Sequence, residues 1–204
     1  LGLSNFGGGR EFDMVISGIN PGSNIGADGN LSGTVGAARM GADMGVAGLA
    51  VSSMAGAKNM GQVARSLAGL VGQVLSAGCE KGVLLNVNYP AGDSQKWKGA
   101  GVTAVGAGKY LLTYRQLTEE ELKAKAGGEQ AAPQAGSPGV RETLFFRARF
   151  GRSKKGPVEG TAYHGVGSGL ICVTPIASLT LGEKLGAERV AKAREKLAGL
   201  AFFK

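Results

Sequence analysis

Histidine occurs once in this 204-residue chain, at position 164, cysteine twice, at 79 and 172, and tryptophan once. A single histidine excludes any site built from several imidazoles. The two cysteines are far apart and match neither a metal-ligand spacing nor a disulfide framework. They are expected to be reduced, buried thiols, which suits an intracellular, cytoplasmic setting without excluding an organelle. No apolar run reaches the roughly 18 residues that a membrane-spanning helix needs, so no membrane partner is expected. The opening residues, LGLSNFGGGREF, show no charged-then-apolar leader and read as a start in mid-element. Proline is limited to 6 residues, and no repeat period is visible, which argues against a collagen-like chain or a simple linker.

Glycine is what abounds, at 37 residues. With 43% hydrophobic and 19% charged residues, the composition is that of a folded globular protein rather than a disordered chain. The formal charge of +8 is uneven: residues 1–95 carry five basic and six acidic side chains, the remainder eighteen and nine. A basic half attracts anionic ligands or forms a solvated surface. No RNA-binding aromatic motif or zinc knuckle accompanies it, so no specific nucleic-acid partner is expected.

The first ninety residues alternate in period. Phe12–Ser17 reads as a strand, Gly33–Gly45 as a helix with Ser32 as N-cap, and Gly48–Ser53 as a short buried strand. Gln62–Ala77 is a helix with Val63, Leu67, Leu70, Val71, Val74 and Leu75 on one stripe, followed by a strand, Val83–Asn88. This order predicts a Rossmann-like α/β fold with a parallel sheet and right-handed crossovers. Residues 99–115 are β-prone, residues 116–140 read as a mobile loop, and Glu142–Phe150 reads as one strand of a β-rich hairpin extension. The basic run Arg147–Lys155 belongs to that hairpin. Leu170–Thr174 is a buried strand ending at Pro175. Glu183–Leu200 is an amphipathic C-terminal helix with Leu185, Val190, Ala193, Leu197 and Leu200 inward, packed elsewhere or onto a partner chain.

Between the first strand and first helix lies SGINPGSNIGADGNLSGTVGAA, Ser17–Ala38. In open parallel sheets ligands bind beyond the carboxyl ends of the strands, where Asn20 falls. The glycines permit tight turns and let backbone N–H groups approach a ligand. Ser32, Gly33 and Thr34 open a helix whose free amides favour an anion. The stretch lacks a Walker lysine and a G-x-G-x-x-G pattern, which disfavours nucleoside triphosphates and dinucleotides.

The spacing S-G-I-N-x-G-x-N-x-G-x-D-x-x-x-S-G-T-V-G-A-A closely resembles the signature of the SurE survival-protein family, metal-dependent 5′-nucleotidases and phosphatases. GLAVSS, LNVNYP at Leu85–Pro90 and GTAYHGVGSGLICVTPIASL at Gly160–Leu179 resemble later family blocks in the same order, so the likeness covers roughly residues 12–115 and 142–181. The resemblance implies a phosphomonoester hydrolase acting on nucleoside monophosphates with Mg²⁺ or Mn²⁺, assembled as a homodimer or homotetramer. It implies Asn20 as a metal ligand, since an amide oxygen suits a hard cation. Ser32, Gly33 and Thr34 would hold phosphate oxygens, while Asn24 and Asp28 would order the turn or contact substrate. His164 is read either as a hydrogen-bonded structural residue or as a general acid on the substrate side.

The family's paired aspartates and metal-ligand serine have no counterpart in this sequence, and Gly160 and Ala162, beside Glu159, stand where the family carries acidic residues. The chain is therefore expected to be incomplete for catalysis. The alternative is a catalytically degenerate paralogue that keeps the family surface for oligomerisation or binding. The expected organisation is a partial SurE-like domain over residues 1–181 and a C-terminal helix over 182–204.

Overall fold

The computed structural model describes residues 11–54, 56–106, 110–118, 120–121, 146–152 and 156–203. The chain divides into two compact units, one formed by residues 1–108 and 155–204, the other by residues 109–154.

In the larger unit β1 (Met14–Asn20), α1 (Gly33–Asp43), β2 (Ala47–Ser53), α2 (Met60–Ala77) and β3 (Val83–Tyr89) follow one another as the sequence pattern predicts. After β4 (Ala100–Val102), and beyond the smaller unit, come α3 (Ala162–Gly167), β7 (Ile171–Ala177) and α4 (Glu183–Gly199). The sheet order is β1-β2-β3-β7-β4. β1, β2 and β3 are parallel, but β7 runs antiparallel to β3 and parallel to β4. The expected α/β fold is present, as a mixed sheet dominated by parallel pairs.

Side-chain alternation along the central strands sorts the core into two layers. On one face Leu49, Val51, Leu85, Val87, Tyr89 and Val173 pack with Val63, Leu67, Leu70 and Val74 of α2 and with Ala193 and Leu197 of α4. The α2 residues recur at helical spacing, and each burial stabilises by about 2 kcal/mol. On the other face Ala50 and Leu84 pack against Val35, Ala38 and Ala42 of α1.

Several sequence expectations are corrected. β1 runs two residues later at its start than expected and continues to Asn20, so Asn20 closes the strand instead of following it. β7 passes through Pro175, which pairs with Leu85. β4 pairs only as far as Val173, so among the described residues one side of β7 has no strand at Pro175, where a missing N–H is tolerated. Leu75 and Leu185 are exposed rather than inward. The C-terminal helix packs on the sheet of its own chain: Ala193 and Leu197 join the main core, and Glu80, after α2, binds Lys196 Nζ at 2.7 Å and Arg189 at 3.3 Å. The Lys196 hydrogen bond is the leading cause that holds the Glu80 carboxyl below its ordinary range.

The smaller unit contains an antiparallel hairpin of β5 (Tyr110–Gln116) and β6 (Phe146–Arg152); residues 142–145 of the expected strand lie outside the described residues. Most of the expected 116–140 loop lies outside the described residues. Both cysteines are free thiols, Cys172 buried and Cys79 half-buried. Among the described residues no helix is long and apolar enough to cross a membrane.

Burial sets an alkaline limit on this fold. It pushes the Tyr89 phenol up to about 12 and the Cys172 thiol up to about 11. Both groups ionise at lower pH in the unfolded chain than in the folded one. Stability is therefore whole below about pH 9 and falls as pH rises towards the folded values, because the unfolded state releases its protons first. For Tyr89 the loss is roughly 2 to 3 kcal/mol between pH 10 and 12. Thermal melts at intervals from pH 8 to 11.5 should show a steepening decline. A flat profile would contradict the burial of both groups.

Candidate phosphate-binding site

The carboxyl ends of β1, β2 and β3 carry a polar row. Asn20 pairs in register with Ser52, Ser52 with Asn88, and Asn88 with Cys172 of β7. Ser52, Asn88 and Cys172 are fully buried. Two residues back along β3, Asn86 shares a face with Asn88 by the two-residue period and pairs with Thr174. Thr174 Oγ1 in turn lies 2.7 Å from Thr103 Oγ1.

Near its end β1 passes through Gly18, whose φ of 118° and approach to the Val51 carbonyl oxygen leave no room for a Cβ. Asn20 then closes a tight turn. Its carbonyl accepts from Gly22 N–H at 2.9 Å, and its Nδ2 donates to Gly22 O at 2.8 Å. With one Nδ2 hydrogen used in this bond, Oδ1 is the side-chain atom able to act as an acceptor or cation ligand.

Asn24 is buried, and its polar groups are engaged inside the protein. Its N–H donates to Asn88 Oδ1 at 2.8 Å, and its Nδ2 donates to Ser52 Oγ at 2.7 Å. Its carbonyl accepts from Asn86 Nδ2 at 2.7 Å and Asn88 Nδ2 at 3.3 Å. The next residue, Ile25, packs with Ala162 and Val166 of α3 and with Cys172. A 3₁₀ turn over Gly26–Leu31 then delivers the chain to Ser32.

Ser32 caps α1: its Oγ accepts from Val35 N–H at 3.2 Å, and its carbonyl accepts from Gly36 N–H at 2.8 Å. The N–H groups of Gly33 and Thr34 lie ahead of these and have no intrahelical acceptor by helix geometry. Gly33 is exposed, and Ser32 and Thr34 are half-exposed. This end of α1 thus presents amides, two hydroxyls and the positive end of the helix dipole. His164 lies half-buried on α3, the helix whose Ala162 and Val166 meet Ile25, while Tyr163 packs against the same cluster. The structure thus joins Asn20, Asn24, Ser32, Gly33 and Thr34 through one loop and brings the helix of His164 against that loop.

The donor set does not by itself fit a divalent ion. Mg²⁺ or Mn²⁺ needs several oxygen ligands, and Asn20 supplies one amide oxygen. Among the described residues no group of three or more His, Cys, Asp or Glu is placed to hold a metal. Asp13 and Glu159 are exposed.

Reading the sequence for chemistry passed over Ser52, Asn86 and Asn88. Their signal was present: LNVNY sets two asparagines two apart in an otherwise apolar strand, which places both amides on one face.

A parallel-dominant α/β sheet with a glycine-rich loop at its carboxyl edge, leading into a capped helix, defines a Rossmann-like α/β protein. The sequence profile of survival protein SurE matches residues 1–111, more than half the chain, and the chain belongs to that family. It is 28% identical over 181 residues to a 5′-nucleotidase SurE of Methylorubrum populi, an alignment covering 86% of this chain and 64% of that protein. It is 47% identical over 83 residues to a 5′-nucleotidase SurE of Desulfatibacillum aliphaticivorans, covering 40% of this chain and 33% of that one. The crystal structure of the SurE protein from Aquifex aeolicus superposes with a TM-score of 0.66 at 26% identity, covering 92% of this chain and 68% of that chain. The chain spans less than two thirds of the length of these two curated relatives.

Proposed function

We propose that this chain forms the phosphate-binding part of a phosphomonoester hydrolase that acts on nucleoside monophosphates. The observation that carries this reading is the SGIN-to-SGTVGAA loop, which links Asn20 at the end of β1 to the open amides of α1. The names of the matched relatives supply the nucleotide class. In this reading Gly33 and Thr34 N–H groups and the Ser32 and Thr34 hydroxyls bind phosphate oxygens. Asn20 Oδ1 would offer one oxygen ligand to a divalent ion, Mg²⁺ or Mn²⁺, which needs several. The chemistry that a divalent ion would supply at such a site is polarisation of the phosphoryl group. His164 is assigned to the substrate side as proton donor to the leaving oxygen. The described residues on their own bind phosphate without completing the hydrolytic site.

Titration of the chain with inorganic phosphate and with adenosine monophosphate, followed by amide NMR, tests this directly. The Gly33 and Thr34 amides should shift most. Thr34→Val should weaken binding by about tenfold or more, the loss expected for a hydrogen bond to a charged group. Absence of any shift at millimolar phosphate would sink the proposal.

A second reading, a family member that serves as an oligomerising protein, rests on the β5–β6 hairpin. Its register pairs Leu112 with Phe150, Tyr114 with Ala148 and Gln116 with Phe146. A two-stranded ribbon is marginally stable by itself in water, and association of copies of this chain as a homodimer or homotetramer would support it. A monomeric mass by light scattering at tens of micromolar would remove this reading.

A further inference from the structure

We propose that Asn86 and Asn88 are positioning residues: their side-chain amides clamp the main chain of Asn24, and so hold the glycine-rich loop and α3 in the arrangement that phosphate binding requires. This rests on the phosphate-site reading and adds to it the two residues of β3 that set the site's shape.

Asn24 lies in a loop, yet it is only 7% exposed, so its peptide groups have lost water without gaining a strand neighbour. Unpaired, each would cost about 1–3 kcal/mol. An asparagine side chain carries the same donor and acceptor set as a peptide unit. Asn88 uses both: Oδ1 accepts the Asn24 N–H, while Nδ2 donates to Asn24 O and, at 3.2 Å, to Asn86 Oδ1. Asn86 adds the shorter bond to Asn24 O. Together the two side chains act on Asn24 as a neighbouring strand would. Valine or leucine at these positions would give a drier core, but would remove the partners of the Asn24 main chain. The buried amides therefore serve the loop rather than the sheet.

The consequence travels in both directions along the loop. Four residues before Asn24 the chain carries Asn20, and one residue after it Ile25 locks into α3. Eight residues after it, Ser32 caps α1. A shift of the Asn24 main chain would thus misplace the cation ligand, the helix start and the helix of His164 together.

Asn86→Ala removes one donor to Asn24 O and leaves the apolar side of β3 untouched. Hydrogen exchange and phosphate affinity should be measured on the whole chain. The expected result is faster exchange at residues 22–31 and in α3, with β2 and α2 still protected, and phosphate affinity at least tenfold weaker. Asn86→Ser, with a hydroxyl too short to restore the bond, should give the same pattern and provides a milder variant if Asn86→Ala does not fold. Unchanged phosphate affinity in a variant, with the parent binding normally, would overturn the clamp while leaving the phosphate site standing. Uniform loss of protection throughout the sheet, or failure of both variants to fold, would also overturn it, by making Asn86 a general core residue. No phosphate binding by the parent would remove the site and the positioning role together.

Discussion

Asn88→Asp is expected to lie about 1 kcal/mol below the parent in stability near pH 4 and to lose about 4 kcal/mol more by pH 7. The substitution exchanges one NH₂ for one oxygen and changes almost no volume. Asn88 is fully buried, and its Oδ1 receives the Asn24 N–H while its Nδ2 donates to Asn24 O and Asn86 Oδ1. An ionised aspartate would keep the first bond and turn an acceptor towards two acceptors, in a place without solvent. The protonated acid, by contrast, can still donate to one of them. The folded state therefore favours the neutral form and raises the carboxyl pKa above its unfolded value near 4, by up to about 3 units for a fully buried group. With the folded pKa raised, stability is kept below the unfolded value. It is lost at about 1.4 kcal/mol per pH unit as pH rises, until the folded value is passed. Urea midpoints from pH 4 to 8 for variant and parent give the difference curve. A difference independent of pH would mean that Asn88 is not held in the amide network.

The second large effect is expected at Gly48. Gly48→Ala should destabilise the protein by about 3 kcal/mol or more, which lowers the melting temperature of a chain of this size by roughly 6 to 12 °C. A Cβ on Gly48 would meet the Ala38 carbonyl oxygen in direct overlap, and would lie 2.9 Å from the Ala38 carbonyl carbon and 3.2 Å from Leu84 Cβ. The obstacle is the backbone of α1, which cannot rotate aside as a long side chain can. Relief requires α1 to lift from β2, opening the layer of Val35, Ala38, Ala42, Ala50 and Leu84. Gly36→Ala offers the opposite sign from the same chemical change. Nothing lies within 4 Å of its Cβ position, and it sits inside α1, so alanine should stabilise by about 0.5–1 kcal/mol. Calorimetric melting of the two variants should move in opposite directions. A Gly48→Ala protein that melts with the parent would show that α1 does not sit against β2 at this distance.

Much of the fold was legible because local pattern and burial agree along most of the larger unit. The stripe Val63, Leu67, Leu70 and Val74 announces α2, and its four residues are buried as the helical period requires. The strand GLAVSS is buried at every position, as a short apolar run between two crossovers must be. Family membership was legible from the spacing between Ser17 and Ala38, because glycines, asparagines and a capping serine at fixed intervals are required by a loop that turns tightly and then opens a helix. Other features were not legible. Strand direction leaves no mark on alternation, so the antiparallel course of β7 and its passage through Pro175 emerged only when β3 and β4 took their places beside it. The outward position of Leu185 likewise depends on how α4 is rotated on the sheet, which helical periodicity constrains only to within a broad stripe.

The site divides in the same way. The sequence by itself determined the parts whose role is local: Asn20 at the strand end, Ser32 as a cap, and Gly33 and Thr34 in the first turn of α1. Only the tertiary structure decided that Asn24 is buried beneath two amides sixty residues further along the chain, and that Ile25 joins the loop to α3. Caps and tight turns are satisfied by near neighbours and leave a pattern in the sequence. A hydrogen bond between a loop and a distant strand forms only because the sheet brings them within 3 Å, and no spacing along the chain encodes that meeting.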